Sequence, residues 1–168
     1  MVMIALSFWC YQTPLGAKAG ATRLRRLEDR GALEVFDAVI VMWARGAHVP
    51  RVIPVRRRLA SARWSESVLH GLFQIVVNGE TEAGVQASLQ HIGEALADSG
   101  LDESFLRKVL QYLVPGSSLL AVLARVNDLD GARVVVERGV ARGDVTHLLA
   151  ELADDGPDRL RVALIEDS

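Results

Sequence analysis

Few residues in this chain have the type and spacing that chemistry requires, and each group of them can be weighed in turn. Gly16-Ala17-Lys18-Ala19-Gly20 follows an apolar run and opens a helical one, a setting in which backbone amides and a lysine can hold an anion. It satisfies neither the P-loop nor the dinucleotide fingerprint, and a plain strand-to-helix turn explains it as well. Glu66 and His70 stand four apart, and His91 and Glu94 three apart, so two helices of a hairpin could offer two carboxylates and two imidazoles to a metal. The di-iron spacing instead runs Glu before His in Glu-x-x-His and needs further carboxylates. Helix-surface pairs account for these residues, and neither a metal nor any other cofactor is expected.

Nucleophiles fare no better. Ser117 and Ser118 lack a G-x-S-x-G elbow, and after Pro115-Gly116 they suit a turn in which hydroxyls bond backbone groups. Cys10 stands at a strand end with no partner base in view, and His48 and His147 have none either. Arg51, Arg56, Arg57, Arg58 and Arg63 beside Trp64 could grip phosphates. The acidic C-terminal half and the want of an aromatic RNA-binding strand motif argue against nucleic acid.

These residues sit in a chain of 168, the length of one domain, and it is 50% hydrophobic and 24% charged. A mean hydropathy of +0.21 excludes disorder and suggests apolar surface that needs a partner. A single cysteine excludes an intrachain disulfide and suits reducing cytosol. Charge is unevenly spread, with eleven basic against four acidic residues through Arg63 and eight against seventeen beyond it, for a net charge of −2. Such a chain can balance its halves internally or pair head to tail between copies. The first ten residues are mostly apolar but follow no basic segment, so a first strand is expected there rather than a signal peptide. The longest apolar stretch, 68–77, is about half the length of a membrane span.

Periodicity then orders the elements. A strand over 2–9 leads to a helix over 15–31 that turns Leu24, Leu27 and Leu33 to the core and stops at Gly31. The β-branched runs 34–44 and 48–55 form a hairpin, with Pro50 and Pro54 pushing its second arm to an edge. Helical periodicity follows in 61–99, and Asp102 is placed to cap a third helix. The run 117–126 has a buried-strand pattern; a helix from Asp128 or Asp130, a strand from Asp144 and a closing helix with Pro157 in its first turn complete the chain. The order predicts a single α+β domain over 1–168. Its expected form is a ferredoxin-like β-α-β-β-α-β core with helices on one face of the sheet, an inserted helical hairpin at 61–99 and extra C-terminal α-β-α elements.

Several segments carry a resemblance. Gly31, Leu33 and Phe36-Asp37-Ala38-Val39, then Gly100-Leu101-Asp102 with Phe105, then Leu113-Val114-Pro115-Gly116-Ser117-Ser118-Leu119 resemble an uncharacterised bacterial family of predicted membrane proteins, domain of unknown function 1269. The match runs in order from Ile4 to about Leu164, and Pro115-Gly116-Ser117-Ser118 is its most specific piece. Members of that family carry a glycine- and alanine-rich apolar hairpin before the Gly-Leu-Asp segment. Here 61–99 is sprinkled with Arg63, Glu66, Glu80, Glu82 and Glu94 instead. The resemblance therefore implies a fold, without the membrane hairpin, and brings no catalytic residues.

Two functions from different classes follow. The first is a non-enzymatic, self-associating cytoplasmic protein that forms a homo-oligomer or meets a protein partner through Arg56, Arg57, Arg58, Trp64, Val68, Leu72, Phe73 and Val76. Arginines ahead of an apolar helix also suit an anionic membrane surface, but Glu66, Glu80 and Glu82 oppose it. The second is a small-molecule-binding or enzymatic domain whose pocket lies between sheet and insert, lined by Trp43, Trp64, His70 and His91.

Overall fold

In β1 (Met3–Tyr11) successive side chains enter two different cores: Ile4, Leu6, Phe8 and Cys10 on one side, Ala5, Trp9 and Tyr11 on the other. A strand reads as an unbroken apolar run when both faces of its sheet are covered, which is how the computed structural model of the protein is built. It describes residues 3–55, 67–77, 89, 90, 93, 94, 101–143 and 145–165. After β1 come α1 (Gly16–Asp29), β2 (Leu33–Met42), β3 (Arg51–Pro54), α2 (Val68–Val77), α3 (Glu103–Leu110), β4 (Ser118–Val126), α4 (Leu129–Ala141), β5 (Val145–Leu152) and α5 (Gly156–Ile165). The fold is mixed α+β. Its five-stranded sheet has the order β3-β2-β4-β1-β5, every neighbouring pair antiparallel.

That order corrects the expected topology. A simple ferredoxin-like sheet made from the first four strands would put β3 in the interior, between β1 and β2. Here β3 lies at the edge beyond β2, and β4 takes the interior place. The reason is physical: β3 has four residues and ends in Pro54, which cannot donate to a ladder, whereas β4 offers nine residues, eight of them buried. β5, expected as an addition, pairs with β1 from Ile4 to Tyr11.

Helices cover both faces instead of one. α1 and α4 lie with Leu24, Leu27, Val135 and Val136 against Trp9, Leu120 and Val122. On the opposite face α2, α3 and α5 bring Leu69, Phe73, Leu106 and Leu160 against Leu6, Phe8 and Leu123. Phe8 sits between Phe73 and Phe105, ring centroids 6.2 and 5.8 Å away. With both sheet faces apolar, one helical layer would have left the other in water. None of the helices among the described residues is long and apolar enough to cross a membrane.

Local signals hold where they are local. Gly31 ends α1 region at φ +73°, and the chain turns so sharply there that Leu33, expected on the helix, is the first residue of β2. Asp102 Oδ1 accepts from Phe105 N at 2.7 Å and Asp128 Oδ1 from Gly131 N at 3.0 Å, capping α3 and α4.

One irregularity in β2 was not foreseen. Its pairing with β4 slips between Val35 and Asp37, a bulge that puts Phe36 on the same face as Val39 and Val41 and turns Asp37 there too. Asp37 is 1% exposed. Its Oδ2 accepts from Leu69 N at 2.8 Å, and both its oxygens lie 2.9–3.0 Å from the Ser67 hydroxyl. Ser67 Oγ in turn accepts from His70 N at 3.1 Å, so a carboxylate on the sheet and a serine ahead of the helix jointly cap α2.

Candidate functional site

On the α1/α4 face the sheet floor includes three short side chains, Ala5 and Ser7 of β1 and Ala124 of β4. The helix above it is short-chained as well. α4 turns Ala132 and Val136 towards the floor, and its inner residues remain only half-buried. Gly139 permits the helix to come down beside Val145: a Cβ there would lie 2.6 Å from Val145 Cγ1. Leu129, Ala132, Val135 and Val136 also pack on this core, but the short side chains leave a cavity of about 520 Å³ between α4 and strands β1, β4 and β5. That volume falls in the range of small-molecule sites, and most of its wall is apolar.

The polar groups of the wall gather at the β1/β5 side. Ser7 and Trp9 alternate on β1, and His147 stands opposite Trp9 across the ladder, their rings 6.2 Å apart and edge-on at 76°. Burial pushes the His147 imidazole below its ordinary pKa of 6.5, since charging it would strip water from an ion. The Trp9 indole Nε1 is buried without a hydrogen-bond partner. Ser7 shares that face, its backbone held in the ladders to β4 and β5. On α4 the exposed Arg133 and Glu137 stand at the rim, opposite in charge and one turn apart.

The residues singled out in the sequence lie elsewhere. Val68, Leu72 and Phe73 are at most 2% exposed and Val76 is partly buried; they pack under the sheet as the chain's own core, not as an outward subunit face. The space left beside them, against Phe8 and Leu106, is about 10 Å³. Trp43 follows β2 and donates its Nε1–H to Ala47 O at 3.0 Å, while half-buried His70 on α2 lies 3.3 Å from Gln74 Nε2. Arg56, Arg57, Arg58, Trp64, Glu66 and His91 are outside the described residues, and among those that are described no three metal-ligating side chains cluster.

The proposed anion turn is spoken for. Ala17 N, a free amide of the first turn of α1, donates to Ser118 Oγ at 2.9 Å, and that hydroxyl donates to Thr13 O at 2.7 Å. Gly16 and Gly20 lie against Tyr11; a Cβ at Gly16 would stand 2.5 Å from Tyr11 Cβ, which explains the glycines without a phosphate. Ser117 donates to Val114 O at 2.6 Å and accepts from Val114 N at 3.0 Å, as the turn reading expects.

Cys10 is buried in the core, and burial pushes its thiol from 9.0 up to about 12. Since the thiolate is the nucleophile, native Cys10 is expected to react with iodoacetamide about a thousandfold more slowly than the same thiol in urea-unfolded protein at about pH 8. Mass spectrometry of timed aliquots measures this, and equal rates would mean that the end of β1 opens freely.

Sequence reasoning missed the cavity because its signal is weak. Ala5-x-Ser7 in β1 and Ala124 in β4 mark places where a sheet lacks bulk, but only their meeting under α4 makes them a site. Comparison of the chain with family models, with curated proteins and with solved structures gives no match.

Proposed function

We propose that the protein is a small-molecule-binding domain and that its ligand enters the cavity between α4 and the sheet. The observation that carries this is a space of about 520 Å³ with an apolar wall and several polar groups gathered at one side. The pocket anticipated between sheet and insert is thereby moved to the opposite face. Nile red, an uncharged apolar dye, tests the proposal. It is expected to bind one to one with rising fluorescence, and Ala132→Phe, which fills the cavity from α4, to weaken it about tenfold or more while the circular dichroism stays native. Equal binding by both proteins, or none by either, would refute the reading.

Self-association remains a second reading on a different observation. β5 is an edge strand of eight residues, and Leu149 on it and Val140 beside it are 41% and 47% exposed. A homo-oligomer through that edge would cover them, and sedimentation at micromolar concentration decides it: a clean monomer removes the reading. A cytoplasmic setting accords with the single buried thiol. For the fold, a ferredoxin-like core of β1-α1-β2-β4-α4-β5, with β3 and the helices before β4 as additions, is the finer description we favour, supported by the order β2-β4-β1-β5 within the sheet.

A further inference from the structure

The cavity between α4 and the sheet has one polar side, and its chemistry is specific enough to say what class of molecule it suits. The groups on that side are the Ser7 hydroxyl, the His147 imidazole and the Trp9 ring. The Trp9 N–H is itself closed off, so a ligand meets the indole by its ring and finds its hydrogen bonds at Ser7 and His147. Ser7 faces Leu149 across the ladder and His147 faces Trp9, which places Ser7 and His147 on a diagonal of one antiparallel pair, on one face of the sheet. Each can donate a hydrogen bond.

From this geometry we infer that the cavity takes an uncharged, mostly apolar molecule bearing a hydrogen-bond acceptor such as a carbonyl, with the acceptor at Ser7 and His147 and the apolar body over Ala5, Val122 and Ala124. The inference rests on the binding function proposed above. Charge decides against an ion. Arg133 and Glu137 at the rim offset one another, and no other charged side chain among the described residues lines the space. Burial disfavours the charged form of the His147 ring, so the floor offers dipoles rather than a counter-charge. A carboxylate drawn into such a wall would lose its hydration with nothing of full charge in return, whereas a ketone loses little and gains its bond.

Three probes that share one aromatic body test this: naphthalene, 2-acetonaphthone and 2-naphthoate, each titrated calorimetrically and by displacement of Nile red. The ketone is expected to bind about fivefold or more tighter than naphthalene and about tenfold or more tighter than the carboxylate, the spread that one neutral hydrogen bond and one uncompensated ion allow. Ser7→Ala combined with His147→Phe should erase the ketone's advantage over naphthalene while leaving naphthalene binding in place. Tightest binding by 2-naphthoate, or equal binding of ketone and hydrocarbon to the unmodified protein, would overturn the inference and leave the cavity as a binding site. Failure of all three probes and of Nile red would instead overturn the binding function itself.

Discussion

Leu123→Ala is expected to lower the unfolding free energy by about 2–5 kcal/mol, and Leu120→Ala by a similar amount. Both side chains are fully buried on β4, the middle strand of the sheet. They point to opposite faces, Leu120 beneath α1 and Leu123 towards α2 and α3, so each substitution opens a hole in a different core. The losses should therefore come close to adding in the double variant. Urea denaturation followed by circular dichroism measures all three. Near-neutral single substitutions would be incompatible with the central place of β4, and a double variant no worse than either single one would show that the two layers are not independent.

Asp37→Ala should cost about 3 kcal/mol, because it removes a buried carboxylate and leaves a helix amide and a serine hydroxyl without their acceptor. Ser67→Ala, which removes the lesser half of the same cap, should cost about 1 kcal/mol. The damage has an address: amide exchange at Leu69 and His70 should accelerate well before exchange in β4 does. Uniform acceleration across the sheet, or a loss no larger for Asp37→Ala than for Ser67→Ala, would deny the carboxylate its role in holding α2.

What could be read from the sequence was whatever is decided within a few residues. Gly31, Asp102, Asp128 and Pro157 act on their own turns, and the apolar density of 117–126 marks a buried strand whatever its neighbours. Strand order is another matter. β2, β3 and β4 are all rich in β-branched and apolar residues, and only the ladder reveals that Pro54 ends an edge while Leu120 stands at the centre. Asp37 reads as an interruption in an apolar run until the bulge turns it towards an amide 32 positions away. For the candidate site the same holds more strongly. His147 has no partner in its own segment and acquires meaning only opposite Trp9, beneath a helix that begins at Leu129.

The place of β4 between β1 and β2 also has a consequence for the time course of synthesis. β1 and β2 never pair with each other, and the residues that join them begin at Ser118. When the first hundred residues have been made, the only strand delivered that pairs with β1 or β2 among the described residues is the four-residue β3. Ordering must wait for a contact such as Ser118 to Ala17, separated by 101 positions along the chain. Until then the nascent protein presents open strand edges, the form of chain that chaperones engage and that sticks to its own kind. In this molecule the strand that makes the sheet whole is also the one that arrives late, so the growing chain is guarded least over the longest part of its birth.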